Sequence, residues 1–312
     1  MRTRSHPRLY VTDAGDGEPV LVVTGWTISS AIFDELGERL VDAGVRVIAY
    51  DHRGTGRSAS WLGPVSIASL AADAARVLDE REVESAHVVG LSLGAAIALE
   101  LAVRMPARVR SLCLVGGTAG GPSMTLPGPG PAGRALAALG RDSLRRLGLW
   151  PAALLFSDEF RREHPERVKE LTEPFIRHRP PPWAIGWQTL AASCFSRAAS
   201  LGDVSAPTLL LHGGADVMVP PRNAKVMARA LPDAELHVVP GAGHAVVFER
   251  PDETVDLMLD FFARHATRVP PAADRRDVVV ERLTRPFALH AGAARNTLQL
   301  VGVGRPRRRP PP

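Results

Sequence analysis

A chain of 312 residues, 45% hydrophobic and 23% charged, can bury a sizeable core as one large domain with insertions or as two small ones. No apolar run reaches the roughly 18 residues of a membrane span, and residues 1–7 lead into no apolar stretch with a cleavage site, so a soluble cytoplasmic protein is expected. From Arg268 onward ten arginines face three acids, a surplus of seven against a whole-chain charge of +5, which leaves residues 1–267 at −2 and gives no reason to expect nucleic-acid binding by the body.

In chain order, short β-branched runs alternate with amphipathic helical stretches, the pattern of parallel strands covered on both faces by helices. Strands are predicted at 20–23, 45–50, 86–89, 109–115, 208–212 and 235–239. A helix is predicted over 66–80, where Ile67, Leu70, Ala71, Ala74, Val77 and Leu78 recur at helical spacing. A second, 95–104, is apolar almost all round and should be buried against the sheet; a third covers 251–265. Cys113 lies inside an apolar run and Cys194 in an unrelated context, so neither a disulfide nor a metal site is expected.

From 120 to about 201 the alternation stops. Glycine and proline crowd residues 120–131, and helical stretches follow around 133–147, 158–175 and 183–199, which reads as an inserted cap. Trp150, Phe156, Trp183, Trp187 and Phe195 cluster there, either lining an apolar pocket or sealing the cap against the main domain. Beyond residue 268 the arginine- and proline-rich tail has too few apolar residues to offset the entropy of ordering, so disorder is expected.

The chemistry is signalled first by Gly90-Leu91-Ser92-Leu93-Gly94, a G-x-S-x-G set directly between a strand and a helix. A sharp elbow of this kind holds its serine in a strained backbone conformation, and side chains at either glycine would strike the neighbouring strand and helix. The helix N-terminus adds partial positive charge beside the hydroxyl. Ser92 is therefore the candidate nucleophile, with a simple turn serine as the plainer alternative. The amide of Leu93, the next residue, is a candidate oxyanion donor.

On these residues the chain resembles the α/β-hydrolases, over about residues 8–266. The resemblance implies a mostly parallel, doubly wound sheet, with core 1–119 and 202–267, a helical cap 120–201 and a tail 268–312. It also implies an acid within the stretch 209–220, at Asp216, and a base in the glycine-bounded loop 240–244, at His244. Singly, Asp216 also fits a turn former and His244 a loop cap. Together they keep the family order Ser92, Asp216, His244, each just past a strand end, with room for one helix and one strand between the last two. An imidazole titrates near neutrality and can take and return the serine proton, while the carboxylate fixes its tautomer.

The resemblance places the second oxyanion donor at the amide of Trp26, in Thr24-Gly25-Trp26, where relatives usually read His-Gly-X; the histidine is here Thr24. It further suggests that the loop 51–58 braces the site, with Asp51 and Arg53 bonding loop backbone and Gly54 and Gly56 allowing tight turns. No Gly-Lys-Ser/Thr ending makes this loop a phosphate cradle. His52, His87 and His212 are expected to be structural. The implied activity is hydrolysis of a small, partly apolar ester or lactone through an acyl-serine, without cofactor or metal, closest to enol-lactonases, cofactor-free haloperoxidases and methyl esterases. The alternatives are carbon-carbon bond hydrolysis, acyl transfer or perhydrolysis by the same residues, or a non-catalytic small-molecule receptor.

Overall fold

The computed structural model describes residues 7–121 and 152–271. The expected helix around 133–147, the ring of Trp150 and all but the first four residues of the tail lie outside the described residues.

Seven strands form one sheet: β1 (Val11–Ala14), β2 (Glu18–Val23), β3 (Val45–Tyr50), β4 (Ala86–Leu91), β5 (Val109–Val115), β6 (Thr208–Gly213) and β7 (Ala234–Val239). Their order is β1-β3-β2-β4-β5-β6-β7, parallel throughout except for β1, which runs antiparallel to β3 at the edge. Strand order reverses between β2 and β4, and the crevice at such a switch point, beyond the strands' C-terminal ends, is where open α/β sheets bind ligands.

Among the described residues, helices α1 (Asp34–Asp42), α2 (Ile67–Glu80) and α3 (Leu93–Arg104) follow the first strands. Between β5 and β6 come α4 (Ala152–Leu155), α5 (Asp158–Glu163), α6 (Pro165–Arg177) and α7 (Pro182–Ser193), the cap helices. The chain ends with α8 (Arg222–Ala230), α9 (Val246–Glu249) and α10 (Pro251–His265).

Strand alternation decides which face each residue serves. Leu21, Val23, Ile48 and Tyr50 join the core beneath α2 and α3, whereas Val20, Val22, Val45 and Val47 join the core beneath α1 and α10. α2 begins where the sequence supplies a reciprocal cap: Ser66 Oγ accepts from the Ser69 amide at 3.1 Å and Ser69 Oγ from the Ser66 amide at 2.9 Å. Such a box replaces two unpaired donors of the first turn and is worth about 1 kcal/mol.

The cap departs from the expected segments in two places. The stretch expected as one helix over 158–175 breaks at His164, because a residue before proline avoids the helical region and Pro165 starts a new helix. The stretch expected over 183–199 ends at Ser193, since residues 194–197 instead pair with the chain leaving β5: the Gly121 amide donates to Phe195 O at 3.1 Å and the Arg197 amide to Ala119 O at 2.8 Å.

Candidate active site

Ser92 stands between β4 and α3 with φ 56° and ψ −111°, a left-handed conformation rarely taken by a residue with a side chain. Its amide donates to Val115 O on β5 at 2.8 Å, and its carbonyl accepts from the Ala95 amide at 3.0 Å, so the strained residue is held from both sides. The flanking glycines are sterically required. A Cβ on Gly90 would lie 2.4 Å from Gly94 O, and one on Gly94 only 2.0 Å from Val23 O. The elbow thus packs against both α3 and β2 with no room for a methyl group.

Asp216 and His244 meet although they lie 28 residues apart. The loops after β6 and β7 are stitched together by the Gly214 amide to Val239 O and the Ala215 amide to Ala242 O, both 2.8 Å. Across this seam Asp216 Oδ2 lies 2.7 Å from His244 Nδ1, with both residues buried. The other carboxylate oxygen accepts from the amides of Met218 at 2.9 Å and Val219 at 2.8 Å. Burial alone would raise the Asp216 pKa, but the charge of His244 and the hydrogen bonds from His212 and His244 outweigh it and lower the value to about 2. The group is therefore an anion at neutral pH, and the ring nitrogen facing it, Nδ1, is a donor. His244 Nε2 is the nitrogen Asp216 leaves unengaged.

Ser92 and His244 line one cavity, together with Trp26, Phe156, Phe175 and Met218. Its remaining walls are aliphatic or aromatic: Ile28, Ile32, Leu91, Leu155, Ala245 and Phe248. Of the rings expected in the pocket, Phe156 is there. Trp183, in the first turn of α7, is 44% exposed, Trp187 donates its indole N–H to Leu62 O at 3.2 Å, and Phe195 is buried in the core; none of the three is among the lining residues. For Phe195, the pairing of 194–197 with 119–121 holds its backbone beside the chain leaving β5, and its ring joins the buried core.

The loop 51–58 braces the site as expected, with one correction. Asp51 accepts from the Ser30 amide at 2.5 Å, Ser29 Oγ at 3.1 Å and the Arg57 amide at 2.6 Å. Burial would raise its pKa, yet these amide donors and the charge of Arg57 lower it. Arg53, expected on loop backbone, instead grips Asp73 of α2 through two 2.5 Å bonds, because a buried guanidinium needs a full negative charge. Thr24, in place of the family histidine, gives its carbonyl to His52 Nε2 at 2.9 Å, so His52 is structural.

Two contributors were missed from sequence. His212, read as structural, sits four residues before Asp216 with Nε2 at 2.7 Å from Val219 O and 3.2 Å from Asp216 Oδ2; bonded to a carbonyl, this nitrogen carries its proton and offers it to the carboxylate as well. Glu249 accepts from the Ser157 amide and hydroxyl, each at 2.8 Å, and from the Gly243 amide at 3.0 Å, tying the cap to the residue before His244. A glutamate five residues past the histidine was the available signal, but its partners lie in the cap.

An α/β sheet with a strained serine elbow at its switch point, and an aspartate-histidine pair on the loops after β6 and β7, defines a hydrolase scaffold. The chain belongs to the α/β-hydrolase family, whose model for the alpha/beta hydrolase fold matches residues 18–251. RutD of Azorhizobium caulinodans, named as a carbamate hydrolase, is 33% identical over 258 residues, covering 81% of this chain and 94% of that one. The rhodomycin D methylesterase DauP of Streptomyces sp. (strain C5) is 32% identical over 283 residues, with 79% and 92% covered. The structure of an esterase from Thermogutta terrifontis superposes with a TM-score of 0.72 at 26% identity, covering 85% of this chain and 97% of that one. The chain is accordingly an α/β-hydrolase enzyme. Among the described residues no helix is long and apolar enough to cross a membrane.

Proposed function

We propose that the enzyme hydrolyses a small, uncharged, partly apolar carboxylic ester or lactone through an acyl-serine intermediate. The observation that carries this reading is the 2.7 Å bond from His244 to Asp216, with His244 and the elbow serine sharing one apolar cavity. In the first half-reaction His244 Nε2 takes the Ser92 proton as Oγ attacks the carbonyl. The amides of Trp26 and Leu93 receive the oxyanion, a stabilisation worth about 2.7–4 kcal/mol per donor. The tetrahedral adduct collapses with the leaving alkoxide protonated by the imidazolium. Water then enters and loses a proton to His244 as it attacks the acyl carbon, and the imidazolium returns that proton to Ser92 Oγ as the acid is released.

Support for an uncharged substrate comes from the walls: among the described lining residues there is no arginine, lysine or carboxylate. A charged acyl group would lose its hydration with nothing to replace it. The proposed compartment is the cytoplasm, supported by two unpaired cysteines, Cys113 and Cys194. The test is turnover of a panel of short-chain esters, lactones and diketones with product analysis. Ester or lactone cleavage by the parent, abolished in a folded Ser92→Ala variant, is expected. Retained cleavage in that variant would refute the nucleophile, and cleavage of diketones alone would assign the residues to carbon-carbon bond hydrolysis.

A further inference from the structure

We propose that Gln188, on cap helix α7, is a positioning residue that holds the oxyanion loop in its working shape; this rests on the ester-hydrolysis reading. The loop runs from Thr24 to Ser30 and is pinned at both ends. Thr24 O is held by His52 Nε2 at 2.9 Å, and the Ser30 amide by Asp51 at 2.5 Å. Between these anchors the backbone turns through Thr27, whose φ of 61° is left-handed, and the turn's own bond, from the Ile28 amide to Gly25 O, is long at 3.4 Å. A residue with a branched side chain is strained in that region and stays there only when its surroundings impose it. The imposed contact comes from the cap. The Thr27 amide donates to Gln188 Oε1 at 2.7 Å, a buried bond spanning 161 residues.

That bond fixes the peptide plane directly following Trp26, one residue from the amide assigned to the oxyanion. Packing alone does not call for glutamine here. Gln188 shares the inward face of α7 with Ala184 and Ala191, is 1% exposed, and leaves its own Nε2 buried without a partner. An unsatisfied buried donor is a cost that a leucine of similar size avoids. The gain is at Thr27. The cap in this view is part of the machinery that receives the oxyanion as well as a wall of the pocket, so its seating and the donor geometry are coupled.

The experiment compares the full chain carrying Gln188→Leu, which removes the acceptor, with Gln188→Glu, which keeps a carboxyl oxygen in its place. Steady-state kinetics on a short-chain p-nitrophenyl ester, the second-order rate of fluorophosphonate labelling and the thermal midpoint are measured together. Weakening one oxyanion donor, without removing it, is expected to lower kcat and the labelling rate about 10- to 100-fold in Gln188→Leu, with KM within about 3-fold and an unchanged or raised midpoint. Gln188→Glu is expected to recover rate as the pH is lowered and its buried carboxyl is protonated, because an anion this close to the oxyanion would oppose the charge forming there. Should Gln188→Leu not fold, Gln188→Met carries the same comparison. Parent-like kcat and labelling in the leucine variant would overturn the proposal, as would equal losses in both variants that track a fall in midpoint. If the parent labels at Ser92 yet cleaves no ester, the ester reading fails while slowed labelling in Gln188→Leu still supports the role of Gln188.

Discussion

Replacing Gly94 with alanine puts the geometry of the elbow to a quantitative test. The added Cβ would sit 2.0 Å from Val23 O, 2.7 Å from Thr24 O and 2.8 Å from Val23 C, all of them backbone atoms that cannot swing aside. The nearest is 1 Å inside the 3.0 Å below which such contacts do not occur, so α3 and the end of β2 must separate by about that distance. Val23 and Thr24 lead directly into Gly25 and Trp26, while Ser92 moves with α3, so the separation is delivered between the proposed nucleophile and the proposed oxyanion donor. A misplacement of about 1 Å costs on the order of 100-fold in rate, and the overpacking about 1–3 kcal/mol in stability. The assay is kcat/KM on a short-chain ester alongside urea unfolding. Gly37→Ala is the control, since its Cβ would meet only a Val47 methyl at 3.8 Å in the middle of α1; it is expected to keep full activity and gain about 0.5–1 kcal/mol. Gly94→Ala retaining activity within about 3-fold of the parent would refute the claim that the elbow's spacing sets the rate.

Other perturbations follow from buried charge. His87 lies in the core with Nδ1 2.8 Å from Ser111 Oγ and its ring stacked on Phe262, and burial, aided by Arg110 and His265, lowers its pKa from 6.5 to about 4. The unfolded chain therefore binds the extra proton first, so this stability is complete above pH 6.5 and is lost as the pH falls through the window down to 4. Urea unfolding at pH 4.5 against pH 7 is expected to show a loss of about 2–3 kcal/mol from this residue, absent in His87→Leu. Glu249→Ala strands three donors, the Ser157 amide and hydroxyl and the Gly243 amide. A loss of about 3 kcal/mol or more is expected, with a lower kcat because Gly243 adjoins His244; a variant as stable as the parent would show that water replaces the carboxylate without cost.

The elements that position the site were legible because their signals are local. Residues 109–115 and 45–50 form strands over their full predicted spans, and α10 occupies 251–265 as its apolar spacing implied. The glycines of the elbow spoke for themselves, since their spacing is a steric demand of one turn. What escaped was either short or distant. β1 is four residues long, half-exposed and an edge strand, so it shows no alternation. α1 was passed over, and the helix expected between Asp216 and His244 was given no range, because polar faces dominate both short stretches: α1 buries only Leu36 and Leu40, and α8 only Asn223, Ala224 and Met227. The cap ring Phe195 was expected at the pocket but joins the buried core, where its backbone pairs with Gly121 in a contact that no periodicity reveals. Glu249 and Gln188 likewise take their meaning from partners 92 and 161 residues away. His212 was dismissed as structural, yet its second contact is with the carboxylate four residues on.

The proposed covalent step is open to direct observation. Rapid quenching of the parent enzyme with a short-chain p-nitrophenyl ester, followed by mass analysis of the digested protein, is expected to find the acyl group on the peptide bearing Ser92, accumulating before steady state and absent in Ser92→Ala. Turnover by the parent with the acyl group on another residue, or turnover undiminished in a folded Ser92→Ala variant, would contradict attack by Ser92.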